Sequence, residues 1–354
     1  MKILLSVINL RRGQKVNPKK QKVNSSDSLN SSDKYQNYIC DPLLIAEAAW
    51  GIDYLLETYP PRWLHQNKEL IFEICKPAEL DKEGEIKIKR FLENSCPECV
   101  SIPELDQEFG NYIYLPNLEK DKTTHWHVNF SDPYLFGFAA GPAFAQDEIQ
   151  VSEHPVLVSV GTAIEKGDHG AKRLLRSTVE GDLATPILLE GVPRFCAIDT
   201  EGNYGQLFRV ATESTIREKV ARVTPPTKSN ILAISAPQGS RGAKYSEDLI
   251  ERIFRTAFAG FRATVLTCGG VTVHTGFWGC GAFGNNRLLM TAIQLLAAGS
   301  AGVKEVVFWI PNPAVLAHFL FGLGIARELA GFETMKAVKD LAGRGFHSDE
   351  GNGS

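Results

Sequence analysis

Apolar residues follow two regimes along this chain. After residue 124, short apolar runs alternate with longer stretches of helical period. The runs predict strands over 125–130, 156–160, 194–198, 230–235, 264–267 and 305–310. Val156-Leu157-Val158 and Val306-Val307-Phe308-Trp309 have the make-up of strands covered on both faces. The periodic stretches predict helices over 246–261, 287–298 and 314–330. Before residue 105 the pattern reads as mostly helical. Asp41-Pro42 supplies an N-cap and a first turn, Leu43, Leu44, Ala48, Ile52, Leu55 and Leu56 an apolar face, and Pro60-Pro61 a stop. A second helix is predicted over 82–94.

Strands alternating with helices predict an α/β fold, a three-layer α/β/α sandwich over residues 105–340. Residues 1–104 form a mostly helical extension in this reading, with a first strand over 3–10 and a polar loop over 14–37. Residues 341–354 read as a flexible tail, and Val223-Thr224-Pro225-Pro226-Thr227 as a stiff connector. In open sheets of this kind ligands sit beyond the carboxyl ends of the strands, where loops meet helix N-termini.

Composition narrows the partners. The chain has 354 residues, 44% hydrophobic and 22% charged, with a net charge of -3. No global basic surface points to nucleic acid, and no apolar run reaches the length of a membrane span. An anion must then be held by local geometry such as backbone amides. Seven cysteines, an odd number in a long chain, predict reduced thiols and a cytoplasmic setting.

Two clusters carry candidate chemistry. The first is Trp278-Gly279-Cys280-Gly281-Ala282-Phe283-Gly284, between a strand and the helix that begins near Arg287. Glycines let a backbone approach a ligand, and a helix N-terminus favours an anion. Phe283 could lie against a sugar or base, and Cys280 reads as a small residue fitting a crowded turn. The second is Gln146-Asp147-Glu148. Two adjacent carboxylates out of water push their pKa values apart and leave one as an acid. The plainer reading places both acids in the first turn of a helix, where they suit the dipole. His125 and His127 share one strand face, expected to meet solvent, and His274 reads as a hydrogen-bonded structural residue. Cys96-Pro97-Glu98-Cys99 lacks a second ligand pair for zinc.

The glycine stretch, with the following Ala-Ile-Gln-Leu-Leu-Ala-Ala helix, resembles the second phosphate loop of macrodomains of the poly(ADP-ribose) glycohydrolase type. The helix from Leu249 to Phe261 is similar to that family's R-E-L-N-K-A-Y-C-G-F, and Phe195-Cys196-Ala197-Ile198-Asp199 to its V-A-I-D strand end. Residues 128–149 align without gaps with V-D-F-A-N, three glycines and Q-E-E-I, and His154-Pro155-Val156-Leu157 with N-P-E-L.

The resemblance implies hydrolysis of an O-glycosidic bond at a ribose. Glu148 takes the place of the catalytic glutamate and Asp147 that of its ribose-orienting neighbour. Asn129 and Asp132 fall where the ribose is held, and Gly137 and Gln146 complete the ligand-binding motif. Gly279, Cys280, Gly281, Ala282, Phe283 and Gly284 would hold the diphosphate, with Phe283 on the sugar. No metal or cofactor is implied. The expected partner is an ADP-ribose-like nucleotide or an ADP-ribosylated macromolecule.

The chain departs from the pattern in places. Phe136-Gly137-Phe138 replaces the three glycines, Gln-Asp-Glu replaces Gln-Glu-Glu, and the tyrosine-rich stretch for adenine is absent between 161 and 192. Three readings stand beside each other: a glycohydrolase, a non-catalytic binder of ADP-ribose or another NAD-derived nucleotide, and a structural macrodomain whose pocket Phe136 and Phe138 fill.

Overall fold

Strands pair wherever buried residues recur every second position, and a computed structural model places the pairings over its described residues, 40–117 and 122–348. In chain order the elements are β1 (Leu43–Gly51), α1 (Ile52–Thr58), α2 (Gln66–Ile74), β2 (Glu85–Leu92), β3 (Glu104–Phe109) and β4 (Thr124–Phe130). Next come α3 (Gln146–Glu153), α4 (Val156–Glu165), β5 (Val179–Glu180), β6 (Leu183–Ala184) and β7 (Ile187–Ile198). Then follow α5 (Gln206–Val210), α6 (Glu213–Lys219), β8 (Val220–Ile234), α7 (Glu247–Cys268) and β9 (Val271–Thr275). The last are α8 (Arg287–Ser300), β10 (Glu305–Ile310), α9 (Leu316–Leu329) and α10 (Thr334–Gly343).

Eight strands form one mixed sheet in the order β1-β2-β7-β8-β4-β9-β10-β3. The pairs from β1 to β8 are antiparallel, and those from β8 to β3 are parallel. Alternation along the strands fills two of the three cores among the described residues. Leu188 of β7 and Leu232 and Ile234 of β8 pack with α7, α8 and α9 on one face. Ile187, Leu189, Ile231 and Ala233 pack with α1, α3 and α4 on the other. The result is the expected α/β sandwich.

Several expected elements are different. The helix read over 43–56 is strand β1 followed by the short α1, and that over 82–94 is strand β2. Ile86, Ile88 and Arg90 are all buried, a period of two that the helical reading passed over. The described N-terminal residues are therefore mixed, and the sheet runs across the boundary expected at 104. The strand read over 156–160 is the first half of α4, because an all-apolar run does not distinguish a buried helix from a buried strand. The strand read over 264–267 is the end of α7, where packing overrides the strand preference of Thr and Val. The connector 223–227 lies inside β8, and Val223 to Pro226 pass through the register shift opposite Phe195. The first strand over 3–10 and the loop over 14–37 lie outside the described residues, as do 349–354 of the tail read over 341–354; its residues 341–343 instead close α10, and 346–348 are hydrogen-bonded to the loop before α7.

Cys75 and Cys196, expected as free thiols, form a disulfide across 121 residues of sequence. His127, expected at a wet face, is fully buried. Its ring stacks on His274 with centroids 4.4 Å apart, under Tyr112 and Tyr114. No helix among the described residues is long and apolar enough to cross a membrane.

Burial lowers His127 and His154 to about 3, with the nearby Arg194 charge adding to the effect. Both stay neutral in the folded chain, whereas the unfolded chain takes up their protons as pH falls through about 6.5. Their contribution to stability is present above that pH and is lost on the way down to about 3. Asp147 and Glu153, whose carboxyls burial pushes up, act in the opposite sense. The expected outcome is comparative: from pH 7 to 5, Tm should decline by several degrees less in a His127→Gln/His154→Gln variant than in the wild type. Equal declines in calorimetry would count against the neutral histidines.

Candidate active site

The parallel strands β8, β4 and β9 lie side by side, and their carboxyl ends lead into the segments singled out above. Helix α3 begins beyond the end of β4 and is fastened at both ends. At its start, Gln146 Oε1 accepts from the Phe130 amide at 2.9 Å, and Gln146 Nε2 donates to the Val128 carbonyl at 3.0 Å. At its end, Glu153 pairs with Arg194 at 2.6 Å and accepts from the Ile198 amide at 2.8 Å. Asn129, fully buried, donates to Gln150 Oε1 at 2.8 Å. The side chains of Gln146 and Asn129 thus bind the helix to the strand.

Asp147 and Glu148 occupy the first turn of α3. Glu148 is buried, and its Oε2 accepts from the Ala145 amide at 2.8 Å, so it caps the helix as the plainer reading expected. Burial, followed by the charge of Glu148 and a hydrogen bond with it, pushes the Asp147 carboxyl well above the carboxylate range. Lys68 pulls in the other direction. The pair therefore retains a proton on the Asp147 side where two exposed acids would hold none.

The turn before α3 carries the Phe136-Gly137-Phe138 replacement. Phe136 adopts φ 56°, the left-handed region that glycine enters freely. Its ring is buried against Leu135, Ala139, Val151 and Val160 in the core below, and Arg176 donates to its carbonyl at 3.2 Å. Packing and that hydrogen bond hold a backbone costing on the order of 1–3 kcal/mol. Phe138 is 56% exposed. The reading in which both rings fill a ligand pocket is therefore corrected: one belongs to the core and the other faces solvent. Gly137 is exposed, and a Cβ there would stand 2.9 Å from the Tyr134 carbonyl oxygen.

The glycine loop is fixed by its neighbours. Trp278 Nε1 donates to the Ile234 carbonyl at 3.0 Å, and Asn285 Nδ2 to the Pro237 carbonyl at 3.2 Å. Tyr245 donates to Asn285 Oδ1 at 2.9 Å and accepts from the Asn286 amide at 2.9 Å. Asn286 then caps α8. Cys280 is buried, and the amide of Gly284 donates back to the Gly281 carbonyl. Among the described residues, no backbone carbonyl accepts from the amides of Gly281, Ala282 or Phe283. Gly281 and Ala282 are exposed. Such amides suit an anion.

Asp132 and Phe283 line one cavity of about 290 Å³, together with Ser235, Gln238, Asp182 and Arg252. The β5–β6 hairpin forms one wall. It is held by the fully buried Arg90, which pairs with Glu180 at 2.7 Å and donates to the Ser177 carbonyl at 3.0 Å. Neither Asp147 nor Glu148 lines this cavity. Sequence residues therefore gather in three groups: the carboxylates, the Gln146–Asn129 fastening, and the cavity beside the glycine loop.

Residues 113–315 match the family model of poly(ADP-ribose) glycohydrolase with the macro domain fold. The chain belongs to this family. Among solved structures it is similar to the Thermomonospora curvata poly(ADP-ribose) glycohydrolase bound to the inhibitor ADP-HPD. That match has 19% identity and a TM-score of 0.43, and covers 62% of this chain and 78% of that one. It is also similar to the Deinococcus radiodurans poly(ADP-ribose) glycohydrolase in complex with ADP-ribose. Here identity is 14% and the TM-score 0.40, covering 84% of this chain and 99% of that one. No curated protein matches.

Sequence reading missed Lys68, Arg176 and Arg90, three buried or half-buried cations that hold the turn before α3 and the β5–β6 hairpin. Nothing in their local sequence separates them from surface cations. Within the glycine loop, Gly279 has φ +74°, and a Cβ there would fall 2.5 Å from Ala236 Cβ and 2.9 Å from Asn285 Nδ2. Gly279→Ala should therefore destabilise the fold by about 1–3 kcal/mol. Urea unfolding would measure this, and an unchanged midpoint would show that the loop is not held as described.

Proposed function

We propose that this chain is a glycohydrolase releasing ADP-ribose, or a closely related nucleotide, from an oxygen to which its ribose is attached. The observation that carries the proposal is the carboxylate pair at the start of α3, with Glu148 buried and the Asp147 carboxyl pushed well above the carboxylate range, in a chain of the poly(ADP-ribose) glycohydrolase family. The amides of Gly281, Ala282 and Phe283, from which no backbone carbonyl accepts among the described residues, suit a diphosphate, and Asp132 and Phe283 on one cavity suit a sugar.

The chemistry needs one proton and one water. The proton held on the Asp147 side passes to Glu148, which gives it to the leaving oxygen while the C–O bond to the ribose breaks and its electron pair goes to that oxygen. The ribose carbon develops oxocarbenium character. Water adds to that carbon and returns a proton to the Glu148 carboxylate, leaving an alcohol and free ADP-ribose. Asp147 shares the proton within the pair and orients the ribose. Asn129 acts from beneath through Gln150, Gln146 fixes the start of the helix, and Gly137 leaves the turn open to the ligand.

A non-catalytic binder is the second reading, favoured by the replacement of two glycines with Phe136 and Phe138. The two are separated with poly(ADP-ribose) and a peptide carrying ADP-ribose on a serine hydroxyl. The wild type should release ADP-ribose from at least one of them. Glu148→Gln should lower that rate by about 100-fold or more, and calorimetry should find ADP-ribose affinity changed by only a few fold. ADP-ribose binding without hydrolysis of either substrate would make the chain a binder. A fully active Glu148→Gln would remove Glu148 from the role.

A further inference from the structure

Helix α2 sends a lysine into the interior. Lys68 has no exposed surface. Its ammonium donates to the Ala139 carbonyl at 2.6 Å and the Phe138 carbonyl at 3.5 Å, and lies 6.0 Å from the centre of the Phe144 ring. The helix is seated by Asn67, which donates to the carbonyls of Phe208 at 2.8 Å and Ala211 at 3.1 Å. Lys68 lies before residue 113, outside the segment that matches the family model.

An ammonium is costly to bury unless dipoles and opposite charges surround it. Here both are present. Two carbonyls of the turn preceding α3 take its hydrogen bonds, and the charges facing it from α3 are Glu148 and Asp147. His65 on the same segment of chain feels the Lys68 charge and that of Arg209. Burial lowers Lys68 to about 8, with Glu148, then Asp147, opposing the shift. The carbonyls of the turn are held inward elsewhere too: Arg176 donates to those of Leu135 at 2.9 Å and Phe136 at 3.2 Å, and the Leu64 amide to that of Ala140 at 2.9 Å.

We propose that Lys68 is a positioning residue for the carboxylate pair, tying the 138–139 turn that precedes α3 to helix α2 and keeping a positive charge near Glu148 and Asp147. The proposal rests on the reading of Glu148 as the acid and base. A cation there favours the carboxylate that Glu148 becomes after giving up its proton, and so sets the pH at which the pair can work. It also gives the N-terminal part of the chain a share in the site.

The test reads titrations directly, by NMR of carboxyl and lysine ε carbons in the full chain. Lys68→Met, which keeps length and removes charge, should move the midpoint of Asp147 upward, and Lys68→Arg should restore most of that shift. Reciprocally, Glu148→Gln should lower the Lys68 midpoint, a readout that needs neither activity nor a folded Lys68→Met. With an active wild type, the acid limb of the kcat profile should move up in Lys68→Met by the same interval. Unmoved midpoints in Glu148→Gln, or a folded Lys68→Met that changes KM alone and leaves the pH profile in place, would overturn the role. A wild type that hydrolyses neither substrate defeats the functional reading alone, and the titrations still decide Lys68.

Discussion

Everything around the carboxylate pair depends on keeping a polar helix start inside the protein. Glu148 is buried and Asp147 half-buried, and an unsupported charge there would be costly. The structure meets that constraint with hydrogen bonds at both ends of α3. Gln146 replaces ladder partners on β4, and Glu153 with Arg194 closes the far end against β7.

The same constraint explains the buried cations. Arg90 holds the β5–β6 hairpin, Arg176 the carbonyls of Leu135 and Phe136, and Lys68 those of Phe138 and Ala139. Each satisfies carbonyls that lie outside regular ladders, which a buried turn must do somehow. With carbonyls drawn inward, the turn before α3 keeps its shape with phenylalanines on both sides of Gly137. Phe136 shows how: its left-handed backbone is held by a ring in the core and a guanidinium on its carbonyl. The glycine loop reaches the same end differently, through Trp278, Asn285 and Tyr245 on the loop that follows β8.

Part of this was legible in advance. The strands at 125–130, 194–198, 230–235 and 305–310 carry short apolar runs, and packing keeps them as strands. The motif residues 146–148 and 278–284 are local in sequence, so their spacing alone marks them. Other segments misled for identifiable reasons. Val156 to Val160 is apolar on every side, which a buried helix and a buried strand share. Residues 85–90 alternate, yet their lysines suit a solvated helix until β7 is known to lie beside them.

By itself, then, the sequence determined the α/β class, the family, the glycine loop and the pair of acids, because each is written in a run of neighbouring residues. Tertiary structure alone decided which side chains those acids meet. Lys68 is 79 residues from Asp147, Cys75 is 121 from Cys196, and His127 stacks on a histidine of another strand. A lysine among polar neighbours carries no local mark of burial. Its environment is made by segments far away in the chain, and only their packing removes the water that would otherwise screen its charge.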